Sequence, residues 1–378
     1  MMEFLKKVKD ACSRILSNFN VNDLSGPGGE SFESVLNRND AEFVELAYQI
    51  VLDRQADSHG AAFYVEKISN GEISRRDFIR SLVYSNEFLK IHARAAEWEY
   101  FARRIPVGST GKFASHVKTP AFENACINEI VNPSKWLDPQ WQELAQELQI
   151  VPTSIYAMHK KTFEWVQTIY GLKILDRLNK NHLALGVGSG HECIVYWLAR
   201  HFQRVYATDL FQGAWTTEGG MEGDNAVLKD PDKYRPFDYP RERLRFLPMD
   251  GGLLAFKDES FEVVFSLSSI EHFGGKDMSA RAMREIGRVL KPGGVAVVAT
   301  EYVLNGVEHP EFFNERDLLQ YVVNPSGLKL VQDICFEIPS ILLEKPLVFP
   351  DEKYLSPQLS LMDGEVVFTS IILFFEKN

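Results

Sequence analysis

From about residue 155 onward, short apolar runs alternate with helical stretches, and this alternation limits the possible folds more than any other feature of the chain. The runs at 182–187, 205–208, 244–247, 262–267 and 295–300 are rich in Val, Leu and Phe. Residues 192–201 and 280–290 are the clearest helices between them. Strands alternating with helices predict a parallel sheet covered on both faces. Two further apolar runs, 329–338 and 365–375, supply a pair of late strands.

The first third reads differently. Phe43, Leu46, Ala47, Ile50 and Val51 recur at the spacing of one helical face. A polar turn over 53–60 leads to a second helix at 61–68, and after Asn70-Gly71 a third runs over 74–88. Asp53, Gln55 and Asp57 imitate a calcium loop, but the glycine falls late, at Gly60, and Tyr64 stands where such a loop ends in glutamate. Nearer the start, Phe4, Leu5, Val8, Cys12, Ile15, Leu16 and Phe19 form an amphipathic stripe without the continuous apolar stretch of a signal peptide. A length of 378 residues suits two cores. The division expected is a helical domain at 1–105, a connecting region at 106–154 and an α/β domain at 155–378.

Composition narrows the function. With 45% hydrophobic and 25% charged residues the chain is neither disordered nor fibrous. Its formal net charge of −11 disfavours nucleic acid as a partner, since neutralising phosphates needs a basic face. Cys12, Cys126, Cys193 and Cys335 are scattered without CxxC spacing and read as reduced thiols of a cytoplasmic protein. No apolar run is long enough to span a bilayer. No metal is expected, because His191-Glu192-Cys193 lacks companion ligands.

The first apolar run enters Gly186-Val187-Gly188-Ser189-Gly190 and then a helix. Glycines at such a turn let a ligand approach the backbone closely. The dinucleotide fingerprint wants a third glycine where Cys193 stands, which argues against a nicotinamide dehydrogenase. The second run ends at Asp209, whose carboxylate can accept both hydroxyls of a ribose or simply cap the next turn. The third is followed by Asp250-Gly251-Gly252 and the fourth by Ser268-Ser269-Ile270-Glu271-His272-Phe273.

This ordered series, over about 157–303, resembles the class I S-adenosylmethionine methyltransferases. The resemblance implies a doubly wound, mostly parallel seven-stranded sheet preceded by a small all-α domain, with S-adenosylmethionine as cofactor. It places that cofactor on Val187, Gly188, Ser189, Gly190, Asp209, Leu210, Asp250, Gly251, Ser266 and Leu267, with Asp250 on the adenine amino group. Family members usually carry an acid where this chain has Gly186 and a glycine where it has Glu192. Glu192 either replaces the missing acid or is a first-turn glutamate favoured by the helix dipole.

His272, beside Glu271 at the ligand end of the fourth strand, is a candidate base for a hydroxyl acceptor, or else the two residues only fix the loop. His159, Trp165, Trp215, Glu301, Tyr302 and His309 are acceptor-side candidates, and the long insert at 211–243 is expected to cover the acceptor. IEHFGG followed by TEYVLNG is similar to arrangements that accompany bacterial surface-polysaccharide enzymes, implying a sugar or glycan acceptor. In the first third, Tyr48, Leu52, Arg54, Asp57, Gly60, Tyr64, Gly71, Ser85, Glu87 and Phe88 carry a resemblance to a bacterial helical domain of unknown function related to phycobilisome-linker modules, which implies a protein partner. A scaffold built on a degenerate cofactor fold is the alternative function.

Overall fold

A computed structural model describes residues 25–26, 30–31, 36–52, 56, 58–83, 85, 105, 125–152, 157–211, 225–352 and 355–378. The amphipathic stripe at the start of the chain, the calcium-like Asp53, Gln55 and Asp57, and residues 212–224 of the insert, with Trp215, lie outside them. The chain divides into two compact units, Met1–Arg104 and Ile105–Asn378.

In the first unit, helices α1 (Asp40–Leu52), α2 (Ser58–Ser69) and α3 (Arg75–Val83) follow the apolar spacing of the sequence. Phe43, Val44, Ala47, Tyr48, Val51 and Leu52 of α1 are buried against Phe78, Ile79 and Leu82 of α3. The Phe78 ring meets Phe43, Tyr48 and Tyr64 at 5.9, 6.1 and 4.6 Å. Arg75 closes the start of α1: its guanidinium donates to the carbonyls of Leu36 and Arg38 and to the Asp40 carboxylate. A hydroxyl from Ser69 and that guanidinium hold the Asp40 carboxyl below its usual range.

The second unit is built on one sheet. Its elements are β1 (Glu129–Ile130), α4 (Pro139–Glu147), α5 (Lys160–Ile174), β2 (Leu183–Val187), α6 (Cys193–Ala199), β3 (Arg204–Asp209), β4 (Leu244–Pro248), β5 (Phe261–Leu267), α7 (Lys276–Val289), β6 (Leu290–Val303), β7 (Lys329–Leu330), β8 (Leu347–Val348), β9 (Leu361–Asp363) and β10 (Val366–Glu376). Strand order is β8-β9-β10-β6-β5-β2-β3-β4, with β1 and β7 also on β10. The run from β4 to β6 is parallel. At its centre, β5 and the stretch of β6 from Val295 to Val303 are buried almost throughout, as cover on both faces demands, while β3 and β4 nearer the edge are part exposed.

The seven-stranded, mostly parallel sheet expected from the sequence is corrected to a ten-stranded mixed one. The cause is β10. It lies antiparallel to β6 from Phe368↔Val303 to Glu376↔Val295, and its outer edge is shared by three short segments. β9 takes the end nearest Val366, β1 takes Ile371 and Ile372, and β7 takes Phe375 and Glu376. An eleven-residue apolar edge left bare would recruit other chains, and this cover satisfies it. Residues around β1, read as a connection in the sequence, are fixed there by side-chain amides: Asn128 donates to the Gln332 carbonyl at 2.6 Å and accepts from Phe374 N–H at 2.6 Å. Cys126 and Cys335, remote in sequence, meet at the same point. Cys335 N–H donates to the Asn128 carbonyl, with Cys126 Sγ 3.5 Å from the same oxygen, and a hydrogen bond from Cys126 lowers the Cys335 thiol to about 7.

Helices cover both faces. α7 buries Met283, Ile286 and Val289, and α5 lies so close to β10 that a Cβ on Gly171 would collide with the Phe374 ring. α6 is buried all round because the described part of the insert closes over it: Tyr196 meets Tyr239 at 5.0 Å and donates to the Pro231 carbonyl.

Candidate cofactor and acceptor site

The order of parallel strands reverses between β2 and β5, and open α/β sheets bind ligands in the crevice beyond the carboxyl ends at such a reversal. The residues singled out in the sequence converge on those ends. Gly188 and Gly190 take positive φ of 64° and 46°, which only glycine adopts without strain. Hydroxyls from neighbouring strand ends fix the turn. Thr208 donates to the Gly186 carbonyl, Ser266 to Val187 and Ser269 to Gly188, at 2.7, 2.7 and 2.6 Å. With its last carbonyls committed sideways, β2 stops abruptly and leaves the glycine turn open to the crevice.

Asp209 ends β3. Phe211 N–H donates to its Oδ1 at 3.0 Å, and burial pushes the carboxyl up against the pull of the Phe211, Gly190 and Leu210 amides. The carboxylate thus caps the turn that follows β3. Leu210 beside it is 50% exposed. Beyond β4, Asp250 is exposed and its Oδ1 accepts from Gly252 N–H at 2.8 Å. Leu253 is 64% exposed, so two leucines offer apolar surface next to the two aspartates.

Phe273, which the sequence reading passed over, bridges the turns. A Cβ on Gly188 would fall 2.9 Å from its ring, and one on Gly251 would collide with it. Its only sequence signal is an aromatic residue flanked by Gly274 and Gly275, both at positive φ.

The inner wall is charged and buried. Lys161 Nζ donates to Glu164 Oε2, Glu192 Oε1 and the Leu267 carbonyl at 2.9, 2.7 and 2.8 Å. Trp165 Nε1 donates to Glu192 Oε2 at 2.9 Å, so Trp165 reaches the crevice by supporting Glu192. Ser268 and Ser370 donate to Glu164 Oε1, and with the two lysines they hold its carboxyl below the usual range although burial pushes it up. Lys160 pairs with Glu301. His159 caps α5, its Nδ1 accepting from Lys161 N–H at 3.0 Å, and burial lowers it to about 4, so it is neutral.

On the acceptor side, His272 Nδ1 lies 3.4 Å from Glu311 Oε2. His309 organises that partner: its Nδ1 accepts from the N–H groups of Glu311 and Phe312, and its ring stacks on Phe312 at 3.9 Å. Burial lowers His309, which keeps it an acceptor. Glu271 is fully buried. It accepts from Thr300 at 2.9 Å, while its Oε1 has no partner among the described residues. Burial pushes it up to about 7, the charge of His272 pulling down and that of Glu301 pushing up. Tyr302 pairs through its backbone with Phe313 and sits 5.8 Å from the Phe336 ring. Trp215 lies outside the described residues. Glu311, Lys161 and Glu164 carried no sequence motif.

Residues 185–298 match the family model described as a methyltransferase domain, and residues 28–91 match a domain of unknown function, DUF4214. Probable tRNA methyltransferase 9B of Homo sapiens is 36% identical over 66 residues, and its Mus musculus counterpart is 35% identical over the same length. The match covers 18% of this chain, and the chain spans only 14% of the length of these relatives. A solved SAM-dependent methyltransferase from Methanosarcina mazei is 16% identical, covering 54% of this chain and 96% of that one, with a TM-score of 0.36. Residues 185–298 are thus similar to a methyltransferase domain, and residues 28–91 of the same chain are similar to a domain of unknown function.

Proposed function

We propose that this protein methylates an oxygen of a sugar, a glycan or another small molecule, using S-adenosylmethionine, in bacterial surface-polysaccharide metabolism. The observation that carries the reading is the alignment of the glycine turn, Asp209 and Asp250 at the carboxyl ends of the adjacent parallel strands β2, β3 and β4. The residues fit the nucleoside end of the cofactor. Asp209 accepts the ribose hydroxyls, Asp250 the adenine amino group, and the exposed Leu210 and Leu253 supply apolar cover. When bound, the cofactor supplies a methyl group on a positively charged sulfur.

The chain's own task is then to align the acceptor and take its proton. With Nδ1 facing Glu311, His272 acts as base through Nε2, and the carboxylate stabilises the imidazolium that forms. Alignment of reacting groups is worth effective molarities of about 10⁵–10⁸ M. The net charge of −11 speaks against a nucleic-acid acceptor. The setting is cytoplasmic, and the helical unit, related to phycobilisome-linker modules, recruits a protein partner.

A scaffold with a degenerate cofactor fold is favoured by one feature, the absence of an acid at Gly186. Calorimetric titration with S-adenosylmethionine, S-adenosylhomocysteine and NADH separates the two. Binding of the sulfur nucleotides alone is expected; folded protein that binds neither belongs to the scaffold.

A further inference from the structure

Two stretches far apart in the chain meet at the outer edge of β10, and each brings a cysteine. Residues 125–130 come before β2, and residues 329–335 come after β6. Side-chain amides clamp them together. Gln332 Oε1 accepts from Ile127 N–H at 2.9 Å, and its Nε2 donates to the Ala125 carbonyl at 3.0 Å. Asn128 grips the Gln332 carbonyl and the Phe374 N–H at 2.6 Å each. Cys126 and Cys335 sit inside this clamp, 7% and 9% exposed.

One carbonyl sets the register of both cysteines. Cys335 N–H donates to the Asn128 carbonyl at 2.8 Å, Cys126 Sγ lies 3.5 Å from the same oxygen, and Cys335 pairs with Glu129 in a parallel bridge. The thiols meet, Cys126 donating to the Cys335 sulfur. A disulfide needs its two cysteines side by side, and the sheet edge has already brought them there.

The two sulfurs are not equivalent. The bond to Cys335 and burial push the Cys126 thiol up. The bond from Cys126 and the Glu337 N–H bring Cys335 down to about 7, against burial and the charges of Glu129 and Glu337. The thiolate is the nucleophile, so Cys335 is the sulfur that meets an oxidant and Cys126 the one that resolves it.

We propose that Cys126 and Cys335 form a redox-modification site, at which a peroxide converts the thiol pair to a disulfide that ties the segment entering β1 to the segment leaving β7. The Cys335 thiolate attacks one peroxide oxygen. The O–O bond breaks, hydroxide leaves with the electron pair, and Cys335 becomes a sulfenic acid. The Cys126 sulfur then attacks the Cys335 sulfur, the S–O bond breaks, and water leaves with the Cys126 proton. In sum, two thiols and hydrogen peroxide give one disulfide and two waters. A dithiol reductant reverses the bond by exchange.

β1 and β7 each hold β10 through only two residue pairs. The disulfide makes them one covalent strap across that edge. It closes a loop over residues 126–335, which contains the parallel half of the sheet from β2 to β6. Cross-links across long loops restrict the unfolded chain most.

The test is peptide mapping of the full-length protein, treated with hydrogen peroxide under native conditions, alkylated, and digested without reduction. A peptide joining Cys126 to Cys335, released by dithiothreitol, is expected. The oxidised protein should melt about 5–10 °C higher than the reduced protein and return on reduction. Cys126→Ser should abolish the cross-link and leave a Cys335 sulfenic acid that dimedone traps. Peroxide-treated wild-type protein in which both cysteines are still alkylated overturns the proposal. So does a map in which either one pairs with Cys12 or Cys193 instead. The wild-type map decides alone if the variant does not fold.

Discussion

The two walls of the crevice hold carboxylates in opposite ways. On the outer wall, Asp209 and Asp250 each accept a local backbone N–H two residues on, at 3.0 and 2.8 Å, and form no ion pair with a lysine or arginine among the described residues. On the inner wall, Glu164, Glu192 and Glu301 are paired with Lys160 and Lys161 deep in the protein, and Glu271 is buried beside them. The outer acids are those we propose to face a neutral, donor-rich nucleoside. The inner acids are paired with buried lysines, or raised by burial as Glu271 is.

The largest effect expected comes from His272→Ala. It should lower kcat for methyl transfer about 10²- to 10⁴-fold, with S-adenosylhomocysteine affinity unchanged, as measured on any acceptor found by screening. A comparable loss of nucleotide affinity would merge the two walls into one. Next, Asp209→Ala should weaken cofactor binding by at least about a hundredfold in protein whose circular dichroism is unchanged, since two charge-assisted bonds are lost. Unchanged affinity would reduce Asp209 to a turn cap.

Glu271→Gln gives a smaller effect with a definite sign. The folded carboxyl titrates near 7 against an ordinary 4.5, so the folded state holds the proton more tightly. Its contribution is full below about 4.5 and is lost as pH rises through about 7, by roughly 2–3 kcal/mol. Wild-type denaturant stability should therefore fall from pH 5 to pH 8 relative to the variant. Parallel pH profiles would show that Glu271 is already charged. The smallest effect tests the scaffold behind both walls: Gly171→Ala should cost about 1–3 kcal/mol by forcing the Phe374 ring aside, without changing S-adenosylhomocysteine affinity.

The same contrast explains what the sequence disclosed. Asp209 and Asp250 are legible because each sits at the end of an apolar run, where strand, turn and function are consecutive residues. The five parallel strands are legible for the same reason. Lys161 and Glu311 are not, because their roles come from partners brought in by the fold: Leu267 for Lys161, and His272 for Glu311. β1 and β8 escaped notice because they are two residues long and too short for any periodicity, and of the strand expected at 329–338 only the two residues of β7 form. Cys126 and Cys335 likewise meet only through the pairing of Glu129 with Cys335.

β10 has a consequence for the order in which the protein is made. It follows every other strand in the chain, yet β1, β7 and β9 have no seat in the sheet until it arrives. During synthesis the parallel half, β2 to β6, can assemble while the flanking segments wait with apolar surface uncovered. Closing contacts that reach from Ile371 back to Ile130 is slow, and the waiting chain is exposed to aggregation. The strand that completes the sheet thus also closes the interval in which the nascent chain carries uncovered apolar segments.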